Sequence, residues 1–409
     1  MNKLLTYMNL ASRYAEGLGE LPIAIYLREQ HRILERVING EEYIAATYYV
    51  PNEILSQFDI PVLYIERISG FGAANKLLGN IDIKRQYLGM PSCSCTYQIY
   101  YEGLIDECYI PHPSRIIASS FACDDAWWYC NKMSQRYKTD IYLIDVFRSN
   151  SEEAELYISK QLYELDSILK INYKTVRSLD SIIEQSNEGL EIKAKIDSVR
   201  KNNPGILDSN TALKLFPLYN DLGKPYANEI MQTLYDLLLI KAAHYEPENK
   251  IRLIWLGMIP LYYNNLIKDI EERYNCRIVY EELFQYPNKH IDKRNIYHSI
   301  SKRIMNTHFF TMQQRMRDII EYIDTYNVDG IIHFSQKNCR FLPPMLPLVY
   351  SELSEYKIPI VDINGDVADP SGFSDTIWDK LDAFFEILNR RKKDVSRNVD
   401  CREHRINQA

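Results

Sequence analysis

The chain lacks any run of about 18 apolar residues, so no segment reads as a membrane-spanning helix. Its opening, MNKLLTYMNLASRYAEGLG, lacks the continuous apolar core of a secretory signal, and Arg13 and Glu16 interrupt it. Both absences lead to the expectation of a cytoplasmic protein with no membrane partner. Surplus positive charge is missing too: 48 lysines and arginines against 55 aspartates and glutamates leave a net charge of −7. That balance offers little to neutralise phosphates and argues against nucleic acid as a partner. The one basic tract, RRKKDVSR, reads as part of a solvated tail. No pair of C-x-x-C motifs occurs, which argues against a compact zinc module. SGFGAA at 69–74 lacks the third glycine of a dinucleotide fingerprint, so NAD and FAD are not inferred. Low-complexity stretches and fixed-period repeats are also missing.

What remains is a globular composition, 46% hydrophobic and 25% charged over 409 residues, long enough for two or three cores. Residues 1–42 read as helices with charged faces. From residue 43 the pattern changes to short β-branched and aromatic runs, 43–50, 60–66, 114–121 and 140–147, separated by helical periods. This spacing predicts βαβ units and a parallel sheet, giving a first α/β domain over 43–150. Residues 151–247 are helical in character, opening on the capping signal SEEAEL. A second α/β domain follows over 248–392, with strands at 251–258, 276–283, 328–334 and 358–363, and a charged tail occupies 393–409. The fold class is therefore α/β: two parallel-sheet halves of the flavodoxin or Rossmann kind with a helical accessory region. Such a layout leaves a cleft facing strand C-termini, where open α/β sheets bind ligands.

Eight cysteines in a long intracellular chain point to ligands or buried thiols rather than a disulfide framework. Cys95 follows a Gly-Met-Pro-Ser turn, Cys123 follows a strand and opens a helix, and Cys339 follows the strand GIIHF. A thiol at a helix N-terminus has its anionic form favoured. Against this stands the ordinary account of cysteine as a small buried hydrophobe, which spacing alone does not displace. Cys130, two turns beyond Cys123, reads as core. Cys93 reads as a neighbour of a ligand, while Cys108, Cys276 and Cys401 have no companion features. The histidines, His308 and His333 among them, form no spaced metal set; His333 is near enough in sequence to Cys339 to support a ligand.

In order along the chain, YVPNEIL, LYIERISG, CSCTYQIYYEG, RIIASSFACDDAWW, DGIIHFSQKNCR and IPIVDINGDVADPSGFSDTIWDKLDAFFEIL resemble the 2-hydroxyacyl-CoA dehydratase and benzoyl-CoA reductase subunit family, and within it the iron–sulfur D-component. The resemblance runs from about residue 40 to 390. It implies a [4Fe–4S] cluster between the two halves, held by Cys95, Cys123 and Cys339, with one iron left open. It implies a homologous second subunit in a heterodimer, an ATP-dependent iron–sulfur activator protein and an acyl-CoA substrate. It further implies a lyase: one electron reduces the thioester carbonyl to a ketyl radical, the hydroxyl leaves, and a now acidic β-hydrogen can be removed to give a 2-enoyl-CoA. Glu66 matches a glutamate of the family's catalytic subunit and is the candidate proton-handling acid. Its bland alternative is a surface carboxylate paired with Arg67. Tyr48 departs from the family, which has a small hydroxyl residue there. The GDVADP loop is either a turn and helix cap or a wall of the cleft. Three other readings stay open: a benzoyl-CoA reductase-like acyl-CoA reductase subunit, a non-catalytic electron-relay subunit, and a metal-free or zinc-holding scaffold.

Overall fold

The structure, a computed structural model, describes residues 2–263, 265–287 and 289–406. The side chains of Asp124 and of residues 393–406 lie outside the description, which takes in Cys401. Eight strands form: β1 (Ile44–Ala46), β2 (Val62–Tyr64), β3 (Arg115–Ser119), β4 (Asp140–Ile144), β5 (Ile251–Gly257), β6 (Cys276–Glu281), β7 (Gly330–Gln336) and β8 (Ile360–Gly365). Each lies within or overlaps a β-branched run of the sequence. They pair, all in parallel, as two four-stranded sheets ordered β2-β1-β3-β4 and β6-β5-β7-β8. The same strand order thus occurs twice. In each sheet the chain steps from the first strand to one side, then crosses back to the other, so a crevice opens between β1 and β3 and again between β5 and β7.

Alternate side chains of each strand enter different cores, as a pleated strand buried on both faces requires. Ala45, Leu63, Ile116 and Ala118 of the first sheet share one apolar cluster with Leu253, Trp255, Ile332 and Phe334 of the second. That common core fastens the halves together. The opposite face of the first sheet, with Ile44, Val62 and Ile117, is covered by the helices Glu152–Asn172 and Ile296–Met305. Ile254, Leu256 and Ile331 face the helices Met312–Tyr326 and Leu342–Leu353. Gly257 ends β5 at φ +80, and a Cβ there would stand 2.6 Å from the Phe334 carbonyl oxygen; only glycine lets β5 and β7 approach so closely.

Helices fill residues 152–242, where Ser151 Oγ accepts from Ala154 N (3.3 Å) as the expected cap. One difference from the sequence reading concerns the C-terminus. The final helix runs Thr376–Ile406, so the segment read as a tail continues in helical backbone to residue 406. Among the described residues, no helix is long and apolar enough to cross a membrane.

Candidate functional site

The connections leaving the strand C-termini of both sheets converge on one pocket with a volume of about 170 Å³. Thr47, Tyr48 and Tyr49 reach it from β1, Glu66 from β2, and Phe121 and Cys123 from β3. Met258 enters from β5, Leu283 from the segment after β6, and Gln336 and Cys339 from β7. Cys95 lines it from the turn before the helix Thr96–Asp106. The structure therefore brings Glu66, Cys95, Cys123 and Cys339 to a single cavity. Cys93 is exposed and outside it, with Arg340 Nη2 donating to its sulfur at 3.6 Å. Cys130 and Cys276 are buried in the core.

All three pocket thiols sit at helix starts. Cys95 and Cys123 are the N-cap residues of Thr96–Asp106 and Asp124–Tyr137. The Cys123 sulfur accepts from Ala126 N at 3.3 Å, and that of Cys339 accepts from Leu342 N at 3.5 Å. The Tyr97 N–H is directed at Cys95. Unpaired N–H groups at a helix start favour anionic sulfur. Burial opposes them, pushing Cys95 far above the ordinary thiol range, with Cys123 and Cys339 adding to the rise. Burial also pushes Cys123 up to about 12. Among the described residues, no lysine or arginine lines the pocket to offset three thiolates.

The loops that carry the thiols are braced against one another across the two sheets. Asp125 Oδ2 accepts from Cys95 N (3.1 Å), tying the first cysteine to the residue two beyond the second. Asn338 Nδ2 donates to Ser92 O (3.1 Å) and Ser94 O (3.4 Å), tying the third to the first. Thr96 Oγ1 donates to Asp366 Oδ1 (2.7 Å) and accepts from Gln336 Nε2 (3.3 Å). Asp366 also accepts from Ala368 N and Asp369 N (both 2.9 Å), so the GDVADP aspartate caps its turn and bridges the halves together. Ala122 (φ +63) and Asn338 (φ +64) immediately precede Cys123 and Cys339 in left-handed backbone. Such conformations cost energy in non-glycine residues and concentrate at functional sites.

Glu66 occupies the first turn of the helix Ile65–Ala74 rather than the strand end, and accepts from Tyr48 N at 3.1 Å. Burial raises its carboxyl to about 7, against the lowering pull of those backbone donors and of Arg67. Arg67 is not its ion-pair partner. That guanidinium pairs with Asp221 (3.1 Å) and donates to Gln30 Oε1 (2.9 Å) and Pro217 O (2.9 Å). Tyr48 stacks on Phe216 at 5.5 Å between centroids, so the substituted position forms part of an aromatic wall. His333 shares hydrogen bonds with Asp362 (3.0 Å) and Ser335 (3.2 Å) and does not line the pocket. His308 does. Both its ring nitrogens are buried without a hydrogen-bond partner, and burial holds it down at about 4, neutral beside the Glu282–Arg315 pair. Sequence reasoning passed over it because burial and lack of partners are tertiary properties.

Among the described residues, no three His, Cys, Asp or Glu side chains gather tightly enough to hold a single metal ion. A cubane makes a different demand: each thiolate binds its own iron, so the sulfurs stand further apart than the ligands of one ion. Three partly buried thiols around one cavity, two of them accepting a helix N–H, with no lysine or arginine among the described lining residues, fit a group that brings its own positive charge.

Two parallel sheets whose strand C-termini meet at a thiol-lined pocket define an α/β protein with a candidate ligand site at paired switch points. The chain belongs to the 2-hydroxyglutaryl-CoA dehydratase D-component family, whose model matches residues 47–388. Membership supports a 2-hydroxyacyl-CoA dehydratase-type subunit, and suggests lyase activity and a complex with partner subunits. No curated protein matches the chain significantly.

Proposed function

We propose that this chain is the iron–sulfur subunit of an activator-dependent (R)-2-hydroxyacyl-CoA dehydratase, removing water through a ketyl radical to leave a 2-enoyl-CoA. A homologous second subunit and an ATP-dependent iron–sulfur activator would complete the system. The observation that carries the reading is the meeting of Cys95, Cys123, Cys339 and Glu66 in one cavity.

When bound by the three cysteines, a [4Fe–4S] cluster supplies a single low-potential electron and an iron with an open position. The remaining work falls to side chains of the chain itself. Glu66, held near 7 by burial, is protonated in about half of the molecules at neutral pH and can give its proton to a leaving hydroxyl. Tyr48 N, donating to the Glu66 carboxylate, fixes its direction. Tyr97, Phe121, Phe216 and Phe341 exclude water, which protects a reactive radical from quenching. The helix N–H groups on the sulfurs favour the anionic state and raise the potential of whatever the thiolates hold. A low potential is then sustained by burial, since few dipoles solvate added charge there.

The test is anaerobic co-expression with candidate partner subunits, followed by iron and acid-labile sulfide analysis and EPR of the dithionite-reduced protein. About four irons per chain, lost in Cys123→Ala and Cys339→Ala, is the expected result. A full signal in Cys339→Ala overturns the ligand set. Turnover without net consumption of reductant separates dehydration from reduction of an acyl or aromatic thioester. Wild-type activity in Glu66→Gln would turn the reading into that of an electron-relay subunit.

A further inference from the structure

We infer that the pocket selects a 2-hydroxyacyl thioester whose acyl chain is uncharged, apolar or aromatic, and rejects the dicarboxylic 2-hydroxyglutaryl chain from which the family takes its name. The inference rests on the reading of this cavity as the acyl site and specifies its substrate class.

A distal carboxylate needs a cation or a set of N–H donors once it leaves water. No lysine or arginine is among the described residues that line the pocket. The guanidinium groups packed around it are committed: Arg67 to Asp221 at 3.1 Å, Arg303 to Glu53 at 2.5 Å, and Arg315 to Glu282 at 2.5 Å. Arg148 is exposed, 4.6 Å from the centroid of the Phe341 ring and 5.8 Å from that of Phe121. Those two rings line the pocket and Arg148 does not. Among the described residues, Glu66 is the one carboxylate that lines the cavity, an added repulsion for a second anion.

Among the described residues, the buried polar side-chain atoms left without partners at the pocket wall are neutral. They are the two ring nitrogens of His308 and Oδ1 of Asn220, side chains 4% and 2% exposed. Burial holds His308 down near 4, so the chain without ligand presents a neutral imidazole there at neutral pH. Between these atoms the wall is aromatic, with Tyr48, Phe121, Phe216, Phe309 and Phe341. A substrate carboxylate entering this cavity would lose its hydration without gaining a cation, on the order of 100-fold in affinity.

Isothermal titration of the full chain, purified anaerobically with its partner subunit, tests this with three probes: 2-hydroxyglutaryl-CoA, 2-hydroxy-3-phenylpropanoyl-CoA and 2-hydroxy-4-methylpentanoyl-CoA. At about pH 8 the two uncharged chains are expected to bind on the order of 100-fold more tightly than the dicarboxylic one. Leu283→Arg, which puts a cation on the pocket wall, is expected to narrow that ratio by about tenfold or more. Should the variant fail to fold, the ratio in the parent protein still decides. Equal or tighter binding of 2-hydroxyglutaryl-CoA overturns the selectivity and leaves the dehydratase reading standing. Failure of all three thioesters to bind overturns the acyl-site reading and the selectivity with it.

Discussion

Replacing Glu66 by glutamine separates what this residue costs the fold from what it gives the chemistry. The carboxyl is raised from 4.5 to about 7, chiefly by burial. In the unfolded chain it ionises at the ordinary value, so between those two pH values the folded protein holds the proton more tightly. Stability therefore falls as pH rises from about 4.5 to about 7 and is level above that. The shift corresponds to about 3 kcal/mol in favour of the neutral form. Glutamine has the same shape, keeps an oxygen for Tyr48 N, and carries no charge to desolvate. Glu66→Gln is expected to be more stable than the parent by about 3 kcal/mol at pH 8.5, with the gain nearly gone at pH 4.5. Urea denaturation of both proteins at the two pH values, under strict anaerobiosis, reads this directly. The same variant is expected to lose about 100-fold or more of its dehydration rate, the usual contribution of a positioned acid. A stability difference that does not change with pH would refute the assignment of a strained, burial-raised carboxyl. Unchanged activity would remove Glu66 from the chemistry while leaving the burial argument intact.

Other consequences are as direct. Asn338→Ala leaves an alanine in left-handed backbone and removes the bonds to Ser92 and Ser94, for a loss of about 2 kcal/mol by denaturation and a lowered iron content on purification. Gly257→Ala drives a methyl to 2.6 Å from the Phe334 carbonyl and is expected to lower stability by about 2 kcal/mol or more, seen as a drop in Tm. Arg315→Leu strands the Glu282 carboxylate in the core, at a cost of about 3–5 kcal/mol measured by chemical denaturation, largely relieved by a second change, Glu282→Gln. His308 is held below its unfolded value of 6.5, so it withdraws stability as pH falls from there toward about 4; His308→Gln is expected to flatten that part of the acid-denaturation curve.

The strands were legible because their signal is local. Runs such as GIIHF and IPIVDI are β-branched, continuous and bounded by glycine or proline, as a strand buried on both faces must be. Cys123 at a helix start was legible for the same reason, with two aspartates directly following it. Local pattern does not reach the contacts that shape the pocket. Thr96 and Asp366 are 270 positions apart, and nothing in either neighbourhood announces that one donates to the other at 2.7 Å. Glu66 was placed on a strand end because IPVLYIE reads as one run; β2 stops at Tyr64 and a helix takes Glu66. The pairing of Arg67 with Asp221 rather than Glu66 depends on the helical region folding back over the first sheet. The charged C-terminal segment gave no sign of its backbone state; it continues the final helix to Ile406.

The repeated strand order makes the two walls of the pocket counterparts in topology. Cys123 and Cys339 are counterparts in it, each following the third strand of its sheet. Cys95 has no such mate. It lies between the second and third strands of the first half, and the corresponding stretch of the second half brings His308 to the pocket instead. A perfectly mirrored cavity would close on its contents with sulfur from both sides. On the second half's side the wall carries His308, neutral and without a hydrogen-bond partner among the described residues, in place of sulfur.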